Sequence, residues 1–286
     1  MNQITERAYA KINLALDVLR RRPDGYHDVR MVMQTVHLYD KLTISKSREP
    51  GILLKTNLPF LPGNENNLVY RAIDLFCKTY DIDCGIRATL EKRIPIAAGM
   101  AGGSSDAAAA LRAMNELFRT RATLEELQAL GVKLGADIPY CLMGGTALAE
   151  GIGEQLSPLP AAPSCSCLIV KPNFHLSTKH VYENLSLDDS SAHPDIDAML
   201  EAIRNDNYKQ MTASVGNILE TVSIRLHPEI EAIKQEMREL GADCALMSGS
   251  GPSVFGLFEH RQVAERAYRR FRLGPYGKQT FLSYLR

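Results

Sequence analysis

The sequence has no long hydrophobic run, no excess of charge of either sign and no paired cysteine motif of the kind that binds zinc. No stretch approaches the roughly 20 apolar residues that a transmembrane helix requires. Residues 1–20 also lack the uninterrupted apolar core of a signal peptide. Lysine plus arginine and aspartate plus glutamate both number 33, so the net charge does not favour nucleic acid or a membrane surface as a partner.

The six cysteines are scattered along the chain. Cys165 and Cys167 form a C-x-C pair, but a zinc site would need a second pair and none has suitable spacing. We therefore expect reduced thiols, a cytoplasmic protein and no structural metal at this pair.

Strands and helices are mixed without regular β-α-β alternation, which favours an α+β fold over a doubly wound sheet. The first segment alternates, with Lys11, Asn13 and Asp17 in one polar row, and predicts a half-buried strand followed by a hairpin turn at 23–25. Three prolines at 158–163 indicate a domain boundary. Further strands are predicted at 42–44, 52–54, 86–90, 144–148, 167–172, 244–247, 254–258 and 279–284, and helices at 67–80, 106–118, 124–135, 178–182, 196–204, 208–215, 228–240 and 261–271.

The segment PIAAGMAGGSSDAAAAL, which begins at Pro95, places glycines and serines directly before an alanine-rich helix. Glycines allow backbone N–H groups to turn toward one point, and the helix N-terminus adds the positive end of its dipole. The segment therefore favours binding of a di- or triphosphate, and the alternative is a glycine-rich turn used only for tight packing. Its spacing matches neither the Walker loop nor the dinucleotide-binding fingerprint.

This segment resembles the central phosphate-loop motif of the GHMP small-molecule kinases. AYAKINLAL in the first strand and SGSGPSVFGLF near the C-terminus resemble the other two motifs of that family, in the same order. PDGYHDV and LGADIPYCLMGGTALAEGIGE narrow the resemblance to members that use ATP to phosphorylate the 2-hydroxyl of 4-diphosphocytidyl-2-C-methyl-D-erythritol in non-mevalonate isoprenoid synthesis. The resemblance runs from about residue 6 to residue 284.

The resemblance implies two domains, an ATP-binding domain similar to the second domain of ribosomal protein S5 at 1–160 and a ferredoxin-like GHMP kinase domain at 161–286. It implies ATP, brought as Mg-ATP, and a small-molecule acceptor. We expect a monomer or weak homodimer without nucleic acid or membrane partners. The protein ligand of the cation stays open, with Ser105 as a candidate.

The resemblance also implies a catalytic pair, Lys11 and Asp137. Asp137 would accept the proton of the acceptor hydroxyl, and Lys11 would keep Asp137 ionised and stabilise charge on the transferred phosphoryl group. Taken alone, Asp137 before Pro139 is also typical of a helix N-cap, and Lys11 of a solvent-facing strand residue.

Substrate contacts are implied for five residues. Aromatic faces and an imidazole suit a cytosine, by stacking and by hydrogen bonds to its edge. The alternatives are core packing for the tyrosines and a surface position for the histidine. The implied substrate residues are Asn13, Tyr26, His27, Thr178 and Tyr182.

ATP contacts are implied for the loop and two segments before it. Lys92 has the alternative of a solvated charge at a strand end, and Gly249, Ser250 and Gly251 are expected to shape a wall of the site. Met100 and Ala101 replace the Leu-Gly common in this loop, which predicts a stiffer backbone. The implied ATP-binding residues are Asn67, Leu68, Lys92, Pro95, Gly99, Met100, Ala101, Gly102, Gly103, Ser104 and Ser105.

Two other functions remain open at this point. The same fold could serve a non-catalytic nucleotide-binding or RNA-binding protein, but the presence of both Lys11 and Asp137 argues against a degenerate site. A GHMP kinase for another small alcohol is the second alternative. Tyr26 and His27 argue against it, because an acceptor without a base gives them no evident partner.

Overall fold

The computed structural model describes residues 2–187 and 193–286. The chain packs into two compact units, each assembled from segments that are not contiguous in sequence. Unit 1 comprises the chain up to Ala10, Leu38–Ile96 and Ala101–Gly144, and unit 2 comprises Lys11–His37, Ala97–Met100 and Gly145–Arg286. The long strands β1 (Gln3–Arg21) and β2 (His27–Ser47) therefore contribute residues to both units. The predicted division of the chain at 160/161 stays a prediction.

Unit 1 combines a sheet with a layer of helices. β3 (Ile52–Thr56) pairs in parallel with β4 (Gly85–Glu91), which pairs antiparallel with residues 41–47 of β2. The helices are α1 (Leu68–Thr79), α2 (Gly102–Phe118), α3 (Leu124–Gly131) and α4 (Ile138–Met143). α2 packs against both α1 and α4, because its run of fully buried alanines at 107–110 allows close approach.

Unit 2 contains the remaining elements. β5 (Thr146–Glu150) pairs with residues 31–34 of β2 and with β6 (Gln155–Pro158). β7 (Ser166–Val170), β9 (Cys244–Met247), β10 (Val254–Phe258) and β11 (Thr280–Tyr284) form an antiparallel sheet in the order β11-β7-β10-β9, whereas β8 (Gly216–Asn217) pairs with β1. The helices are α5 (Thr178–Glu183), α6 (Ile196–Arg204), α7 (Tyr208–Ala213), α8 (Glu220–Leu226), α9 (Glu229–Glu239) and α10 (Arg261–Leu273), of which α9 and α10 cover the antiparallel sheet.

Several predicted elements differ from the observed ones. β1 is half-buried only in its first part, because from Ala10 to Val18 both rows are buried, including Lys11, Asn13 and Asp17 of the polar row. β2 is one strand that absorbs the separate strand predicted at 42–44. α2 begins at Gly102 and not at Asp106, α3 ends at Gly131, and β6, β8 and α8 were not predicted. Short elements such as β8 carry too few residues for a periodic pattern.

Two further expectations concern membrane-spanning helices and the state of the cysteines. Among the helices of the described residues, none combines the length and apolarity that crossing a membrane demands. All six cysteines are free thiols, and Cys165, Cys167 and Cys244 are buried. Burial raises the pKa of Cys165 to about 12, so this thiol stays protonated at neutral pH.

Candidate functional site

The backbone of the glycine loop has an unusual alternation. Ala97, Gly99 and Ala101 have φ angles of 51°, 71° and 54°, so every second residue is left-handed. Such alternation turns successive N–H groups toward one side and forms a concavity suited to anions. α2 starts directly after Ala101, which makes no side-chain capping hydrogen bond. No capping side chain therefore satisfies the first-turn N–H groups, the arrangement that binds phosphate at helix N-termini.

The start of α2 lies close to two residues predicted to contact ATP. A Cβ added at Gly102 would lie 3.3 Å from Lys92 Nζ, and one added at Gly103 would lie 3.4 Å from Leu68 Cδ1. Glycine at 102 and 103 therefore lets the start of α2 lie close to the side chains of Lys92 and Leu68. Pro95 is buried and Ser104 half-buried.

Ser105 and Asn67 have structural contacts of their own. The Ser105 hydroxyl donates to the Tyr9 carbonyl at 2.5 Å, and the side chain is buried. Asn67 is the N-cap of α1, where its Oδ1 accepts from Val69 N at 2.9 Å and its Nδ2 donates to the Pro62 carbonyl at 2.9 Å. ATP contacts of both residues remain predictions.

Lys92 is an ion-paired residue inside unit 1. Its Nζ donates to Asp40 Oδ2 and, at 2.6 Å, to Asp106 Oδ2, and the residue is 8% exposed. The alternative of a solvated strand-end charge is therefore wrong. Burial lowers the pKa of Lys92, but the two carboxylates more than offset this and raise it above its usual value. Burial raises the pKa of Asp106 well above its usual range, and Lys92 opposes this shift.

Asp40 and Asp106 were missed by the sequence reasoning. Asp40 also accepts the backbone N–H groups of Arg93 and Ile94, so it fixes the chain just before the glycine loop. An aspartate next to the buried alanines of α2 was an available signal for Asp106, because a buried carboxylate needs a partner. No comparable signal distinguishes Asp40 within β2.

Asp137 occupies the N-cap position of α4 without acting as a cap. Its backbone is helical, with φ −78° and ψ −15°, and its side chain makes no capping hydrogen bond. The N-cap alternative is therefore wrong for the side chain. Asp137 is half-buried, and no hydrogen bond or ion pair of its carboxylate is seen within the described part of unit 1.

Lys11 and Asn13 form a buried polar pair in unit 2. Strand geometry places positions i and i+2 on one face, and Lys11 Nζ donates to Asn13 Oδ1 at 2.6 Å. Asn13 Nδ2 in turn contacts Met31 Sδ at 3.1 Å, and the backbone N of Lys11 donates to the Met100 carbonyl of the glycine loop at 3.2 Å. Lys11 is 5% exposed, so the alternative of a solvent-facing strand lysine is wrong.

The structure brings His27 and Tyr182 together from distant parts of the chain. Their ring centroids are 5.1 Å apart, with the planes tilted by 42°. Burial, with a smaller contribution from Arg21, lowers the pKa of His27, so the imidazole is neutral at neutral pH and offers one donor and one acceptor. Tyr26 is 60% exposed.

The third motif forms a turn at 248–251 that touches the glycine loop. Ser248 Oγ donates to the Gly99 carbonyl at 2.9 Å, and a Cβ added at Gly99 would lie 2.2 Å from the Ser248 carbonyl oxygen. On its other side, Ser250 Oγ lies 2.8 Å from Thr178 Oγ1 at the start of α5. The turn therefore links the loop to the helix that carries Tyr182.

A protein-borne metal centre is not evident. In residues 2–187 and 193–286, no three histidine, cysteine, aspartate or glutamate side chains converge on a point where a metal ion could be held.

Family models match both halves of the chain. The GHMP kinases N terminal domain matches residues 67–145, and the GHMP kinases C terminal domain matches residues 190–275. Together with the mixed helices and strands, these matches confirm the predicted α+β fold of a two-domain GHMP kinase.

Comparison with individual proteins identifies the family within the GHMP kinases. The 4-diphosphocytidyl-2-C-methyl-D-erythritol kinase of Lachnoclostridium phytofermentans is 62% identical over 99% of this chain and 97% of the relative. A crystal structure of 4-(cytidine 5'-diphospho)-2C-methyl-D-erythritol kinase is similar with a TM-score of 0.84 and 35% identity over 99% of both chains. The chain belongs to the 4-diphosphocytidyl-2-C-methyl-D-erythritol kinase family.

A more distant likeness concerns the fold alone. Homoserine kinase from Cytophaga hutchinsonii has a TM-score of 0.76 at 19% identity, with 99% of this chain and 94% of that chain covered. The predictions of an ATP-dependent kinase of this family, and of a small-molecule acceptor, are confirmed by the family membership. Mg²⁺, the oligomeric state and the individual site residues stay predictions.

Proposed function

We propose that the chain transfers the γ-phosphoryl group of Mg-ATP to the 2-hydroxyl of 4-diphosphocytidyl-2-C-methyl-D-erythritol. The products are the 2-phosphate and ADP, and the reaction belongs to non-mevalonate isoprenoid synthesis. Relatives named for this acceptor, 46–62% identical over nearly the full length, support the assignment. We further propose that the protein acts in the cytoplasm as a monomer or weak homodimer.

The ring pair of His27 and Tyr182 is the observation that carries the choice of acceptor. A cytosine offers a flat face for stacking and an edge with both donors and acceptors, which the tyrosine ring and a neutral imidazole complement. The adjoining substrate residues are Asn13, Tyr26 and Thr178. Mevalonate and homoserine have no base, so they would leave the ring pair without a function.

ATP is assigned to the glycine loop and its surroundings. The left-handed alternation from Ala97 to Ala101 and the uncapped start of α2 favour the phosphates, and the adenosine is assigned to the side of Asn67, Leu68 and Lys92. Mg²⁺ prefers oxygen ligands and usually accompanies the nucleotide phosphates. The Ser105 hydroxyl is the candidate protein ligand, although it already donates to the Tyr9 carbonyl and lies 3.3 Å from Cys141 Sγ.

Phosphoryl transfer then requires one proton acceptor and one stabilising charge. The acceptor oxygen forms a bond to the γ-phosphorus while the bond from that phosphorus to the β–γ bridging oxygen breaks. The hydroxyl proton passes to the Asp137 carboxylate, and ADP leaves with the bridging oxygen. Lys11 stabilises the negative charge on the transferred group.

The test is ADP release from Mg-ATP with four parallel acceptor conditions. These are the cytidyl compound, mevalonate, homoserine and no acceptor. We expect turnover with the cytidyl compound alone. Turnover only with mevalonate or homoserine would retain the kinase and overturn the acceptor, whereas ATP binding without turnover in any condition would contradict the proposed reaction.

A further inference from the structure

One buried side chain holds two carbonyls at the start of the 248–251 turn that carries the third motif. Asn217 of β8 donates from Nδ2 to the carbonyl of Met247 at 2.9 Å and to the carbonyl of Gly249 at 2.7 Å. Its Oδ1 accepts from the backbone N of Leu219 at 3.0 Å, so the amide cannot flip without losing all three hydrogen bonds. Asn217 is 7% exposed, and an unsatisfied carbonyl there would be costly.

A buried ion pair supports the same turn from the next residues along the chain. Glu220 Oε1 accepts from the backbone N of Met247 at 2.7 Å, and its other oxygen accepts from Lys234 Nζ at 2.7 Å. Glu231 pairs with the same lysine at 3.0 Å. Met247 is therefore fixed at its N–H by Glu220 and at its carbonyl by Asn217.

The 248–251 turn contacts three parts of the proposed site within unit 2. Ser248 holds the Gly99 carbonyl, and Ser250 contacts Thr178 on the helix of Tyr182. A Cβ added at Gly249 would lie 3.5 Å from Asn13 Oδ1, so this glycine also lies against the Lys11–Asn13 pair. A shift of the turn would therefore displace the loop backbone, Asn13 and α5 together.

We propose that Asn217 is a positioning residue of the kinase reaction, acting through the 248–251 turn on the glycine loop and on the substrate helix α5. The proposal rests on the proposed function above for its kinetic effect. An asparagine suits the task because one amide supplies two donors to two carbonyls and still offers an acceptor. Aspartate has the same shape but, when ionised, offers no donor.

The test compares Asn217→Asp with wild type at pH 8 and pH 6, at a temperature where both are folded. The ionised carboxylate faces two carbonyl oxygens, so we expect kcat/KM to fall about 10- to 100-fold at pH 8 for ATP and for the cytidyl acceptor. Lower pH favours the protonated carboxyl, which regains one donor, so we expect the ratio of variant to wild-type kcat/KM to be higher at pH 6 than at pH 8. Asn217→Ser keeps one donor, and we expect an intermediate loss without this recovery.

The charged groups near Asn217 are the same in wild type and in all variants, so their titration affects each of them alike. These groups are Asp17 of β1 with its partner His193, Glu220 of α8, and Lys234 and Glu231 of α9. The control Asn207→Asp makes the same exchange at the exposed N-cap of α7, where a carboxylate still accepts from Gln210 N. It should match wild type at both pH values.

Amide hydrogen exchange at 247–251 provides a readout that is independent of turnover. Protection should fall in Asn217→Asp at pH 8 and return in part at pH 6. A lower Tm with unchanged kcat, KM and protection of the folded variant would overturn the positioning role. If wild type fails to turn over the cytidyl acceptor, the proposed function fails, while the exchange data still decide whether Asn217 holds the turn.

Discussion

Lys11 and Lys92 are both buried lysines of the proposed site, yet their surroundings are opposite. Lys92 lies between two carboxylates, Asp40 and Asp106, which neutralise its charge inside unit 1. Lys11 donates to the neutral amide oxygen of Asn13, and no carboxylate is in ion-pair contact with it in the described part of unit 2. The fold thus supplies ionic partners to Lys92, whereas we propose that the ionic partner of Lys11 is the transferred phosphoryl group.

The presence or absence of an ionic partner distinguishes a buried lysine whose charge the fold neutralises from one proposed to act on a ligand. A buried charge without an ionic partner is costly, and a fold retains it where a bound anion supplies the compensation. The three predictions that follow test this distinction and the site around it, and they run from the largest expected effect to the smallest.

Asp137→Asn tests the proton acceptor proposed to act with Lys11. Loss of a general base lowers rates by about 10²- to 10⁴-fold, so kcat should fall in that range while the Kd for ATP changes little. Steady-state kinetics and nucleotide binding measure both quantities. Because Asp137 makes no side-chain cap, Tm should stay near that of wild type, and unchanged turnover would remove Asp137 as the base.

Lys92→Met tests whether the charge of this lysine serves the fold. Breaking a buried ion pair leaves uncompensated carboxylates and costs about 3–5 kcal/mol in the free energy of unfolding. Adding Asp106→Asn to Lys92→Met should restore part of that loss, because one of the two unpaired carboxylates is removed. Denaturant unfolding of the single and double variants measures the coupling, and strict additivity would contradict the ion-paired role.

Ala101→Gly tests the loop at its stiffest point. Ala101 has a left-handed φ of 54°, a conformation that costs an alanine about 1–2 kcal/mol. Glycine removes that cost but adds freedom to the unfolded chain, so we expect a net gain in stability of about 1 kcal/mol or less. Thermal unfolding detects it, and Ala98→Gly at a residue without positive φ should instead destabilise.

Much of the fold could be predicted from local sequence patterns, whereas the site depends on tertiary contacts between residues that are distant in sequence. The polar row of β1 placed Lys11 beside Asn13, because strand periodicity is short-range. His27 and Tyr182 could be assigned to one substrate only by family resemblance, since no spacing relates a residue after the first turn to one in α5. Lys92 pairs with Asp40 of β2 and Asp106 of α2, which are distant from it in sequence, so local patterns do not identify these partners.

The same limit explains why the N-cap alternative for the Asp137 side chain was wrong. The pattern of an aspartate before Ile138-Pro139 is typical of a capped helix, and α4 does begin there. Whether the carboxylate turns back to cap the helix depends on a helical backbone at Asp137 itself, which a cap pattern does not reveal. Asn217 was missed for a related reason, because its two acceptors lie in a segment about 30 residues further along the chain.

The most direct measurement is kcat for Lys11→Met, at saturating Mg-ATP and cytidyl acceptor, together with its denaturant midpoint. The Lys11→Met variant should lose activity and keep stability, because we propose that the Lys11 charge serves the transferred phosphoryl group. We expect kcat to fall about 10²- to 10³-fold with the free energy of unfolding within about 1–2 kcal/mol of wild type. A loss of stability comparable to that of Lys92→Met, with kcat per folded molecule unchanged, would contradict the assignment of Lys11 to the reaction.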